Sequence, residues 1–160
     1  MKNKKFLLNT KDITSAAAQV CMFGLKTELE KLGQKVDMNI WDDYKSYDYV
    51  IFMSGSEEID KARNDNSKLI IGLADPKPYS IENIIKSDFC LVSSYEQRKV
   101  FIKFNKNLFV YYMIPNFDSY SLVHKKKKLY KIFYHGNKIH LNSSYYGLTP
   151  ALNQLGKKYN

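Results

Sequence analysis

A chain of 160 residues has room for one well-buried core and not for two ordinary α/β domains. A hydrophobic share of 44%, with 14% aromatics and no low-complexity tract, excludes extensive disorder. The net charge of +9 is nearly all lysine, since Arg63 and Arg98 are the only arginines. Sequence-reading nucleic-acid binders use arginine's bidentate fork, so the charge argues for no nucleic acid. It leaves a nucleotide phosphate, an acidic membrane leaflet or plain solubility.

The basic start is followed by only three consecutive apolar residues, Phe6, Leu7 and Leu8, too few for a signal-peptide core. No apolar run approaches the ~20 residues that a bilayer-crossing helix needs. The expected location is the cytoplasm. Cys21 falls on a predicted helical stripe and Cys90 inside a predicted strand, so both read as small core residues, not as a disulfide pair or metal ligands.

In chain order, residues 6–9 form a short apolar strand. A helix capped by Thr14 or Ser15 runs to Leu32, with Ala17, Val20, Cys21, Leu25, Leu29 and Leu32 on one face and Gly33 ending it. Residues 36–41 alternate, as an edge strand does, whereas 49–53 are apolar throughout, as in a strand covered on both faces. A polar helix at 57–63 leads to a strand at 69–73, a brief helix at 80–85 to a strand at 89–92, and a helix at 95–104 to a strand at 108–114. Strands alternating with helices predict an α/β fold, a Rossmann-like doubly wound, mainly parallel sheet.

Residues 118–129, with lysines at 125–128, read as a surface linker, or as a contact for anionic lipid. Beyond it, 131–134 alternate as a strand, Gly136 and Asn137 make a turn, and 146–159 follow a helical period. The expected organisation is a Rossmann-like domain at 1–117, a linker at 118–129, and the first βα unit of a second domain at 130–160.

Ligands of such sheets meet the loops after the strands. After the first strand come Thr10 and Lys11, without the G-x-G-x-x-G of a dinucleotide site. The next candidate loop is Ser54, Gly55 and Ser56, where Ser56 could cap a helix and the glutamates beside it suit a helical first turn. Asp75 stands at a strand's C-terminal end, where a general base or a group orienting a sugar hydroxyl would sit; an Asp-Pro turn explains it equally well. Ser93 and Ser94 lack the G-x-S-x-G of a nucleophile elbow. His135, Gly136, Asn137 and Lys138 combine donors, a small residue and a cation near a helix start, which suits a diphosphate or a plain turn. The three histidines match no metal motif.

The order of these pieces resembles the GT-B glycosyltransferases, two facing Rossmann-like halves, and in particular the family 4-like group. The resemblance rests on the strand-helix-strand opening, on SDFCLVSSYEQRKVF (87–101), on VYYMIPNFD (110–118) and on KIFYHGNKIHL (131–141). It implies transfer of a sugar from a nucleotide-sugar donor to a glycan or lipid-linked acceptor in cell-surface polysaccharide or glycoconjugate synthesis, with no metal and no further cofactor. Under it, Thr10, Lys11, Ser54, Gly55, Ser56 and Asp75 face the acceptor, Asp75 is the catalytic candidate, and His135, Gly136, Asn137 and Lys138 approach the donor phosphates. Peripheral attachment to the inner face of the membrane accompanies that role. The glycine-rich first loop of such enzymes is replaced here by Asn9, Thr10, Lys11 and Asp12. The donor half stops after one βα unit, so the resemblance also implies a truncated chain, inactive alone. A non-catalytic α/β binding module and one chain of a two-polypeptide transferase are the alternatives.

Overall fold

Among the described residues, runs rich in β-branched, aromatic and other apolar residues form six strands, β1 (Lys5–Asn9), β2 (Lys35–Met38), β3 (Tyr49–Met53), β4 (Ile70–Ala74), β5 (Phe89–Val92) and β6 (Leu108–Val110). The computed structural model describes residues 3–53, 58–112 and 148–159. The chain divides into two compact units, Met1–Ser119 and Tyr120–Asn160.

In the first unit all six strands are parallel, in the order β2-β1-β3-β4-β5-β6. The helices between them are α1 (Ala16–Ala18, Gln19–Phe23 and Gly24–Lys31 in succession), α2 (Ile59–Asp65), α3 (Ile81–Lys86, entered through a tight turn at Pro78–Ser80) and α4 (Tyr95–Phe101). This is an α/β architecture consistent with a Rossmann-like fold.

Two apolar clusters cover the two faces of the sheet. Leu7, Val50, Phe52, Ile71, Leu73, Cys90 and Val92 point to one side, where Ile59 and Ala62 of α2, Ile84 of α3 and Phe101 of α4 meet them. Leu8, Val36, Ile51, Met53 and Ala74 point to the other, where Ala18, Cys21 and Met22 of α1 meet them. Strand residues alternate between the clusters because successive side chains leave opposite faces. Both cysteines are free and buried, as small core residues.

Several expected boundaries move, each for a physical reason. Residues 39–41 do not extend β2: Asn39 has φ 57, a left-handed conformation that ends an extended ladder. The expected stripe of α1 is kept at Cys21, Leu25 and Leu29, which face the second cluster, and its middle segment, Gln19–Phe23, is a π-helix. Ala18 and Met22 are buried as well, while Ala17 and Leu32 are exposed. Ser15 caps α1, its hydroxyl accepting from the Ala18 N–H, and Gly33 at φ 74 ends it. Among the described residues the second helix begins at Ile59, and the fourth ends at Phe101, where the Phe104 N–H turns back to the Phe101 carbonyl. β4 lies one residue later than expected, and the described strand β6 stops at Val110.

The second unit contributes one described helix, α5 (Leu148–Tyr159). The linker expected at 118–129, the strand at 131–134 and the turn at 136–137 lie outside the described residues. Among the described residues, no helix is long and apolar enough to cross a membrane.

Candidate functional site

The strand order fixes where a ligand would enter. From β1 the chain moves outward to β2 and then returns past β1 to β3, so the direction of winding reverses between β1 and β3, whose C-terminal ends are where sheets of this kind take their ligands. The register places Thr10, one step beyond the Asn9–Phe52 pair, level with Met53, which in turn lies opposite Ala74. Thr10 and Asp75 thus stand at the same end of the sheet, about 10 Å apart by strand spacing.

Thr10 is buried, its N–H donating to Asn39 Oδ1 at 2.8 Å and its hydroxyl meeting Met53 Sδ at 3.5 Å. The loop that follows is shaped by Asp12, whose Oδ1 accepts from the Thr14 N–H, the Thr14 hydroxyl and the Ser15 N–H. The Thr14 hydroxyl bond leads in holding the Asp12 carboxyl below the usual carboxylate range. Lys11 is exposed.

Asp75 is the second fixed point. It is 5% exposed and has φ 51, a left-handed conformation that costs a non-glycine residue on the order of 1 kcal/mol. Its N–H donates to the Leu91 carbonyl at 2.9 Å, and its Oδ2 accepts from Lys77 Nζ at 2.6 Å. Burial, and then the negative charge of Asp75, push the Cys21 thiol up to about 12, so Cys21 stays protonated and is no nucleophile.

On the opposite face of β1's end, Asn9 and Tyr44 are both fully buried. Asn9 Nδ2 donates to the Ile40 carbonyl at 2.8 Å, which turns its Oδ1 away from that bond. Neither Asn9 Oδ1 nor the Tyr44 hydroxyl has a hydrogen-bond partner among the described residues. The Tyr44 hydroxyl faces the Asn9 amide and the Glu58 carboxylate, and both influence its titration. Burial first, and then the charge of Glu58, push it up to about 12. Glu58 Oε2 in turn meets Lys61 Nζ at 3.2 Å.

Of the residues expected at the acceptor side, Thr10, Lys11 and Asp75 thus stand at one end of the sheet. Ser54, Gly55 and Ser56 lie outside the described residues, as do His135, Gly136, Asn137 and Lys138. Ser94 caps α4, accepting from the Gln97 N–H at 3.1 Å, and the Ser93 N–H donates to Gln97 Oε1, so both serines are structural. No group of three or more metal-ligating side chains occurs among the described residues.

Asn9, Asn39, Tyr44 and Lys77 were not legible as site residues. Asn9 is a polar residue ending an apolar strand, which is a weak signal; Tyr44 lies in a loop without pattern. A groove of about 520 Å³, bordered by Arg63, Lys68, Ile70, Phe89 and Phe109, lies at the other end of β4, β5 and β6. Arg63 is spent there on the Leu69 carbonyl and on Asp88. No protein-family model, curated protein or solved structure matches the chain.

Proposed function

We propose that the first unit is the acceptor-side lobe of a GT-B-type glycosyltransferase of the family 4-like group. On this reading a glycan or lipid-linked acceptor enters the crevice between β1 and β3, and a nucleotide sugar is the donor, its phosphates approached by His135, Gly136, Asn137 and Lys138. The carrying observation is chemical. Thr10 and the buried carboxylate of Asp75 stand at the C-terminal end of the sheet, and Asn9 and Tyr44, each with a buried polar atom that makes no hydrogen bond, lie beneath that end on the opposite face. A sugar presents hydroxyls that both donate and accept, and it orients best against fixed groups of this kind.

Asp75 is the candidate to accept an acceptor hydroxyl's proton. Lys77 already neutralises that carboxylate, and this favours a second reading, a module that binds sugars without chemistry. Backbone amide shifts of the full chain, titrated with a panel of monosaccharides and short oligosaccharides, test the first point. The expected result is movement at Thr10, Asn39 and Asp75; a panel that leaves those amides unmoved overturns the site. Turnover of nucleotide sugars in the presence of a bound saccharide separates transferase from module, and Asp75→Asn abolishes turnover only under the first reading.

A further inference from the structure

The two edges of the sheet are built differently. At one edge β2 carries Lys35 and Asp37, both exposed, and charges of this kind keep an edge strand from pairing further. At the other, β6 is the last strand in the order among the described residues, and its Leu108, Phe109 and Val110 are all apolar. Phe109 is 58% exposed although its ring packs edge-on against Phe89, with centroids 6.2 Å apart.

The hydrogen bonds leave that second edge open. The Asn107 carbonyl accepts from the Cys90 N–H at 2.9 Å, and the Tyr111 N–H donates to the Val92 carbonyl at 2.8 Å. Residues 107, 109 and 111 therefore turn their backbone groups toward β5, and the alternation of a strand turns the N–H and C=O of Leu108 and Val110 the other way. Among the described residues no further strand takes them.

We propose that β6 pairs antiparallel with β6 of a second copy about a two-fold axis at Phe109, so that the sheets of two chains join into one. In that register Leu108 lies opposite the partner's Val110, and the two residues exchange both of their outward hydrogen bonds. Phe109 meets the partner's Phe109 at a non-hydrogen-bonded position, where the Cα atoms approach to about 4.5 Å and an aromatic pair is favourable. Lys106, exposed and without an ion-pair partner among the described residues, lies opposite the partner's Tyr112, itself 56% exposed, which sets a cation against an aromatic ring. This complementarity selects the same strand turned end for end over an unrelated one: the lysine at its start meets the tyrosine at its finish, not another lysine. A strand of three residues makes a small contact, so the association is weak and reversible. It does not depend on what the crevice binds.

Sedimentation velocity of the full chain over a concentration series tests it, and a monomer–dimer equilibrium with no larger species is expected. Phe109→Lys sets like charges face to face on the axis and is expected to weaken the dimer about ten-fold or more. Val110→Pro removes an outward donor without touching the bonds to β5 and should weaken it likewise, with the melting transition of the chain retained. Phe109→Cys reports the axis itself: mild oxidation should link two chains, because β-carbons facing each other at such a position can be bridged. Tyr79→Cys, at 79% exposure the better target for random collision, should link far fewer, and both native cysteines are buried. A chain that is monomeric at every concentration, assembly beyond the dimer, a dimer indifferent to both Phe109→Lys and Val110→Pro, or linkage through Tyr79→Cys as ready as through Phe109→Cys overturns the proposal.

Discussion

Asn39, the residue that ends β2, accepts the Thr10 N–H on its side-chain oxygen at 2.8 Å, so one strand's end holds the loop that leaves its neighbour. Two constraints coincide at this position. The backbone is left-handed, at φ 57, and the side chain must present an acceptor to a buried amide. Asparagine and aspartate meet both demands better than other residues.

Asn39→Ala is expected to cost about 2 kcal/mol, combining left-handed strain with an unsatisfied buried N–H. Asn39→Gly relieves the strain and keeps the second penalty, so it falls between alanine and wild type. Asn39→Asp retains acceptor and conformation and stays within about 0.5 kcal/mol. Urea unfolding of the three variants gives the order directly; alanine as the mildest would show that Thr10 does not need this partner.

The pairing of Asp75 with Lys77 is asymmetric, since the carboxylate is 5% exposed and the lysine side chain 40% exposed. Lys77→Met leaves a buried carboxylate unpaired and should cost about 1–2 kcal/mol, reduced from the deep-interior figure because water reaches the lysine end. Asp75→Asn frees the lysine to reach solvent and should cost less. The double variant is expected to recover part of the Lys77→Met loss, and a double-mutant cycle by urea unfolding measures that recovery. Strict additivity would mean that the pair contributes nothing.

Gly72 lies where β4 passes the ring of Phe89: a β-carbon there would meet Phe89 Cζ at 2.4 Å. Gly72→Ala therefore forces the ring aside and should cost about 1–2 kcal/mol, toward the lower end for overpacking because the tip of a side chain yields more readily than backbone. Adding Phe89→Leu shortens the obstacle and should return most of that loss relative to Phe89→Leu alone. Thermal melting of the four proteins decides it, and an unrelieved double variant would place the clash elsewhere.

How much of this could be read beforehand depends on whether the signal was local. Strand β3 was legible because YVIFM is apolar on every residue, which only a doubly covered strand can be. The inward face of α1 was legible at Cys21, Leu25 and Leu29 but not at Met22, because a π-helical segment changes the period without any change in composition that marks it. Thr10 and Asp75 were legible as loop residues after strands, a rule of topology. Asn39 and Tyr44 were not, because their roles come from contacts with Thr10 and with Asn9, 29 and 35 positions away in the chain, which no spacing pattern encodes.

Tyr44 and Tyr47 make a prediction about alkaline stability whose sign is fixed by their burial. Both phenols are pushed up to about 12 in the folded chain, Tyr44 by burial and then Glu58, Tyr47 by burial and then its hydrogen bond to Asp37. Below pH ~10 both are protonated whether the chain is folded or not, so they contribute no pH dependence there. As pH rises from about 10 to about 12 the unfolded phenols ionise first, and stability falls by roughly 2–3 kcal/mol per tyrosine. The two substitutions then separate. Tyr44→Phe removes a buried hydroxyl that has no hydrogen-bond partner, so near neutral pH it should be neutral or stabilising by up to ~1 kcal/mol while flattening the alkaline limb. Tyr47→Phe flattens that limb equally but loses the 2.9 Å bond to Asp37, and near neutral pH it should cost about 1 kcal/mol. Urea unfolding at pH 7 and across the alkaline range measures both effects; a Tyr44→Phe chain clearly less stable at pH 7 would mean that the hydroxyl is paired after all, with Asn9 or Glu58.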